Sequence, residues 1–148
     1  MPQYWLKPMG HTQPAPGPIP DDWVPERGLD GFELTTGPAN VQDPPQMSPG
    51  DRVLLHAVVL ARAFAEGEIL GEATWQPHRP DGDRWPWVYP CRIQTWVPLV
   101  KDGPRTTDFA SETVLDRVQA GWESARLTEA EYRALLGALL AAPSVHTV

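Results

Sequence analysis

Eighteen prolines in a chain of 148 residues constrain this sequence more than any other feature. Each proline locks φ and removes a backbone donor, so the chain favours loops and short strands over long helices. From Pro8 to Pro20 runs a Pro/Gly-rich loop, with HTQPAPGPIP at its heart, too poor in apolar residues to pack as helix or strand. The length suits one domain with its own core, and residues 1–148 read as a single domain.

The β signal concentrates in the middle. Gln3 to Leu6 predicts a short strand broken at Pro8, and Gly31 to Leu34 a second short strand. Ser48-Pro49-Gly50-Asp51 predicts a turn, followed by an apolar strand from Arg52 to Val59. Ala63 to Trp75 and Trp85 to Val97 predict two more strands, joined across the turn chemistry of Asp81-Gly82. In the second of these, Trp85, Trp87, Tyr89, Cys91 and Ile93 share one parity, while Arg92 and Gln94 share the other. Antiparallel hairpins need closure or cover for their edges, which predicts an α+β, mainly β fold, a small antiparallel barrel with flanking helices.

Helices are expected at three places. Asp21 or Asp22 can cap a short turn through Trp23 and Val24. Asp108 or Ser111 can start a helix carrying Leu115, Val118 and Trp122 and ending near Gly121. Thr128 and Glu131 form a capping-box pattern that opens a helix over 128–141, with Tyr132, Leu135, Leu136, Leu139 and Leu140 along one face. Trp23 and Trp122 read as packing for the flanking helices.

Composition narrows the function classes. A formal net charge of −7, from 12 basic against 19 acidic residues, argues against a general coat for nucleic acid, whose affinity rests on neutralised phosphates. A pocket that reads one base remains compatible with it. No stretch approaches the length of a membrane span, and one cysteine cannot form an internal disulfide, so a cytoplasmic protein is expected. No GxGxxG, Walker loop, HExxH or GxSxG occurs, and the four histidines are scattered, so neither cofactor, metal nor catalysis is expected. Cys91, mid-strand among apolar neighbours, reads as a buried inert thiol.

The order of segments resembles the EVE domain, a branch of the PUA-like superfamily related to YTH domains. Tyr4-Trp5-Leu6 is similar to that family's opening "YW" strand. Met47-Ser-Pro-Gly50-Asp51-Arg-Val53-Leu-Leu-His56 resembles its "GDxVxxYH" segment, Ile69-Leu-Gly71-Glu-Ala73 its "iaGeaev" strand, and Tyr89-Pro90-Cys91-Arg92-Ile93 its "yPyRv" strand. Leu127-Thr128 to Tyr132 matches its closing helix, so the resemblance covers nearly the whole chain. The family's "WxGVxN" segment is nearest to Thr35–Asn40, with Thr35 where the tryptophan stands and Asn40 retained. The resemblance implies a PUA-like β-barrel whose aromatic pocket accepts a nucleobase, typically a modified one, without catalysis. The partner would be a single-stranded or flipped DNA or RNA base. A module that binds a small molecule or a protein in the same aromatic cleft is the alternative, and the acidity favours it.

Six residues follow as the expected ligand site. Trp85 or Trp87 would stack on the base and Trp5 would lie beneath, the structural alternative for each being core packing. His56 and Asn40 would read base edges; otherwise His56 is a satisfied core histidine and Asn40 holds its own loop. Arg92 would lie at the rim, or pair with a carboxylate.

Overall fold

A tight turn organises the sheet. Gly50 adopts φ +91°, a backbone region that L side chains rarely adopt, and its N–H donates to the Ile69 carbonyl at 2.8 Å. Asp51 closes the same turn from the other side, with its carbonyl accepting from Ile69 N at 2.9 Å. The structure, a computed structural model, describes residues 1–10, 19–25, 28–36, 46–80, 82, 84–118 and 124–148. Asn40 and Trp122 lie outside the described residues.

The strands are β1 (Tyr4–Met9), β2 (Phe32–Thr36), β3 (Arg52–Ala57), β4 (Arg62–Ile69), β5 (Thr74–Trp75), β6 (Trp87–Trp96), β7 (Ala125–Leu127) and β8 (His146–Thr147). They form one sheet ordered β2-β6-β4-β3-β1-β7, with β5 and β8 also paired to β6. The predicted hairpin is present: β4 and β5 both pair antiparallel with β6. The fold is α+β and mainly β. The sheet curls into a half-barrel, and its hydrogen-bonded path ends at β2 and β7.

The sheet is mainly antiparallel, as expected, with β1 running parallel to β3 from Tyr4↔Arg52 to Met9↔Ala57. The expected break of β1 at Pro8 is corrected, because the strand runs through it. Gln3 and Met9 carbonyls accept from β3 amides, so odd residues turn their backbone groups toward β3 and Pro8 turns away from it. On that side the β7 register stops at Leu6, so the missing N–H of Pro8 breaks no ladder bond.

The register defines two faces. Tyr4, Arg52, Glu68 and Arg92 lie in one cross-strand row, and Trp5, Val53, Gly67 and Ile93 in the next. Since side chains alternate along a strand, the first row looks outward and the second inward. The inner face carries buried Leu34, Leu55, Tyr89 and Cys91. Trp23 packs there edge-on to Phe32 and Phe64, at 5.7 and 4.9 Å between centroids. Residues 21–24 form a turn and no helix, so Trp23 fills the inner core and does not brace a flanking helix.

Two helices follow. Helix α1 (Glu112–Val118) starts where expected, with Ser111 Oγ accepting from Val114 N at 3.3 Å. It buries Val114 and Val118 and leaves Leu115 half-buried. Helix α2 (Glu129–Leu140) opens on the predicted capping box: Thr128 Oγ1 accepts from Glu131 N, and Glu131 Oε1 accepts from Thr128 N. It covers the outer face with Tyr132, Leu135 and Leu139. Tyr132 stacks on Tyr4 at 4.5 Å and donates its hydroxyl to Glu66 Oε1 at 2.7 Å. Glu66 is fully buried and ion-paired to Arg52, which also donates to Gln94.

Removing one partner of a buried ion pair leaves the other charge uncompensated, which is far more costly than losing both. Arg52→Ala is therefore expected to cost about 3 kcal/mol in urea denaturation. Adding Glu66→Leu to that variant should recover part of the loss.

Candidate ligand-binding face

The polypeptide brings the starts of three strands to one end of the sheet. Strand β3 runs parallel to β1, while β4 reverses against β3 and β6 reverses against β4. Trp87 at the start of β6, Asp51 just before β3 and Trp5 near the start of β1 therefore lie toward that end, but staggered: Trp5 is level with Ile93, and Trp87 lies well beyond it along β6. By parity they also share the inner face.

Trp5 is held by its edge. Its indole Nε1 donates to Asp51 Oδ2 at 2.9 Å, and Asp51 also accepts from Gln3 N at 3.0 Å and Ser48 N at 2.9 Å. The Arg126 guanidinium lies over the ring, 5.5 Å from its centroid, because Trp5 and Arg126 are direct cross-strand partners. From Asp51 the contacts continue through Ser48 to Met47, whose N–H donates to the Tyr89 hydroxyl at 3.0 Å. Burial pushes that phenol up to about 12, assisted by the Asp51 charge and opposed by the Met47 hydrogen bond.

Trp87 lies two residues from Tyr89 on the same face. It is flanked by Thr36 of β2 and by Trp75 of β5. The Trp75 and Trp87 rings meet edge to face at 5.2 Å and 63°. Trp87 is buried, whereas Trp75 is 37% exposed. Trp85 precedes the strand, half-buried, with the Arg84 guanidinium 4.4 Å above its ring. An exposed indole set edge to face against a buried one makes an aromatic corner, with Trp75 partly open to solvent and Trp87 fixed in the core.

The other expected site residues lie elsewhere. His56 sits at the far end of β3 and on the outer face, where Nδ1 hydrogen-bonds Thr106 Oγ1 at 2.8 Å. It therefore does not share a cleft with Trp5 or Trp87; it is a satisfied core histidine. Arg92 is on the outer face as its parity implied, paired with Asp30 at 3.0 Å and near Glu68 at 3.9 Å. Cys91 is buried, and burial with the nearby Glu66 charge raises its thiol to about 12. Among the described residues, no cluster of His, Cys, Asp and Glu could hold a metal ion.

Sequence reasoning passed over Trp75, Arg126 and Lys7. Trp75 was read only as part of an alternating strand, yet the turn that precedes Trp87 folds it back onto that residue. Arg126 is two residues before the capping box, where a basic residue suggests solvent. Lys7 was passed over although it is two residues from Trp5 and so shares its face.

No family model and no curated protein matches this chain. Its fold is similar to the NMR structure of Rpa0253 from Rhodopseudomonas palustris, with 94% of each chain covered, 16% identity and a TM-score of 0.52. No helix among the described residues is long and apolar enough to cross a membrane.

The environment of His56 sets a pH dependence. Burial lowers its pKa from 6.5 to about 4, so the folded state holds the imidazole neutral while the unfolded chain takes up a proton near pH 6.5. The stability it contributes is complete above pH 6.5 and is lost as pH falls toward 4. Measured against His56→Gln across that window, the wild type should lose about 3 kcal/mol relative to the variant.

Proposed function

We propose that this protein is a PUA-like, EVE-type reader, non-catalytic, that binds one nucleobase, preferentially a modified one, from single-stranded or flipped nucleic acid. The observation that carries this reading is the Trp75–Trp87 corner on the inner face, beside the end of β2 that leads in sequence toward Asn40. A base has two flat faces and a polar edge, and an exposed indole against a fixed one suits the flat part.

Three further features support the reading. The Gly50-Asp51 segment, shared with the EVE pattern, knots β1, β3 and β4 here through backbone and carboxylate bonds. The one cysteine is a poor nucleophile at its raised pKa, and His56 is engaged with Thr106, which supports binding without catalysis. The net charge of −7 favours a partner recognised through a base and few phosphates, so a shallow salt dependence belongs to this reading. A reducing, cytoplasmic setting suits the buried thiol.

The test is an NMR titration of the tryptophan indole N–H signals with unmodified and modified nucleosides. Trp75 and Trp87 signals should move, and Trp75→Ala should weaken binding by about 1–3 kcal/mol with little change in melting temperature. Trp87→Ala should also destabilise the fold, by about 3–5 kcal/mol, because that ring is buried. If no nucleoside moves either signal, the base reading is wrong. Movement of the same signals by a non-nucleic-acid ligand would establish the alternative, a small-molecule module.

A further inference from the structure

Lys7 is an unusual residue to find inside a half-barrel. It is 3% exposed and lies on the inner face of β1, level with Leu55 of β3. Its ammonium donates at 2.7 Å to the carbonyl of its own neighbour Pro8. An ammonium carries three donors and a full charge, and buried lysines ordinarily meet a carboxylate. Among the described residues no carboxylate lies within ion-pair distance of Lys7. Glu66, one row away in the register, is on the outer face and paired with Arg52, and Asp51 on the inner face is occupied by the amides of Gln3 and Ser48 and the indole of Trp5.

A second observation lies across the strand gap. The β1–β7 ladder pairs Trp5 with Arg126 and ends at Leu6↔Ala125, so Lys7 and Ser124 are the next residues on the two chains past its last rung. Lys7 is two residues from Trp5 and shares its inner face, and Ser124 stands at the same two-residue spacing from Arg126, the partner of Trp5. The Ser124 hydroxyl is buried and has no hydrogen-bond partner. Native interiors rarely leave such a group unsatisfied without a function or a ligand. Lys7, Ser124 and Arg126 thus bring an ammonium, a hydroxyl and a guanidinium to the β1–β7 seam. β7 lies at the end of the sheet, and Ser124 as a residue is only half-buried, so the seam has a way in from the edge.

We propose that this seam is an oxyanion-binding site, in which Lys7 supplies the charge, Ser124 a neutral donor and Arg126 an outer clamp for a phosphate or carboxylate group. The site is separate from the Trp75–Trp87 corner and stands whether or not that corner binds a base. An oxyanion would provide the missing counter-charge for Lys7 and an acceptor for the Ser124 hydroxyl at once. Burial lowers Lys7 to about 8, so the amine is still mostly protonated at neutral pH and able to act as a cationic donor.

The experiment follows the Lys7 side-chain Cε–Hε signal through a pH titration, with inorganic phosphate, acetate, dimethyl phosphate or, as an ionic-strength control, chloride. Binding predicts that one or more oxyanions raise the Lys7 midpoint from about 8 toward the ordinary lysine value, while chloride does not. Dimethyl phosphate acting alone would identify the phosphodiester of a nucleic acid as the source. Inorganic phosphate or acetate would identify a free ion or small ligand. Lys7→Met should abolish the oxyanion response in the Ser124 amide, and Ser124→Ala should weaken oxyanion binding by roughly tenfold. If Lys7→Met fails to fold, the wild-type titration alone decides. A Lys7 midpoint and Ser124 amide unmoved by all three oxyanions would overturn the proposal and leave buried water as the partner of both groups.

Discussion

The Asp51 carboxylate fixes the relation between two strands that are far apart in sequence. One oxygen accepts from the Gln3 amide and the other from the Trp5 indole and the Ser48 amide. Its backbone carbonyl accepts from Ile69, and Gly50 before it completes that exchange. One buried acidic residue thereby sets the register of parallel β1 against β3 and clamps the end of β4 to both. A parallel pair has no hairpin to hold it, and closing a loop of this length costs entropy before any contact offsets it. Charge-assisted bonds to an anionic acceptor are among the stronger interactions that can supply that offset. The glycine is needed because the turn demands positive φ, and the aspartate because the turn must hold three donors from outside itself.

Once that register is set, the rest of the chemistry separates by face. The outer face carries polar groups that answer one another: Arg52 with Glu66 and Arg92 with Asp30 as ion pairs, and neutral His56 with the Thr106 hydroxyl as a hydrogen bond. These are satisfied groups under helices or at the surface, and they account for the fold. On the inner face lie Trp5, Trp75 and Trp87, an engaged aspartate, and an ammonium and a hydroxyl with spare bonding capacity. Spare capacity distinguishes a place where a ligand can be recognised from a place where packing is complete. That contrast, and not the number of tryptophans, is why both proposals are placed on the inner face.

What was legible in the sequence follows the range of the interactions concerned. The capping box at Thr128 and Glu131 is a four-residue device, and α2 begins where it says. The parity of Trp87, Tyr89, Cys91 and Ile93 is set by strand pleat, and all four are buried on one face while Arg92 is on the other. The antiparallel pairing of β4 and β5 with β6 follows the alternation of the two segments, while Asp81 of the expected turn lies outside the described residues. The parallel β1–β3 pair could not be read this way, since nothing near Tyr4 announces Arg52 as its partner. Grouping His56 with Trp5 failed for the same reason. Parity within β3 separates His56 from Val53, but only the β1–β3 register shows that Trp5 sits with Val53. Pro8 misled because a proline breaks a strand only where its missing donor has a partner to lose. Lys7 escaped notice because lysine ordinarily reads as surface, although its spacing from Trp5 already assigned it to the inner face.

The acidic surface and the cationic seam act at different ranges. At physiological salt, screening limits exposed charges to roughly 8 Å, so the net charge of −7 governs which polyanions approach. It opposes duplex DNA or long RNA tracking along the surface, since too few basic residues exist to neutralise a run of phosphates. A buried ammonium is screened far less and acts on what has already entered. On the proposed reading, selection works by depth: the acidic exterior opposes extended polyanions, and the inner face offers donors and π-surface to a small group that can leave its own surroundings. Single-stranded ends, extruded nucleotides and free small anions meet that condition, and a paired helix does not.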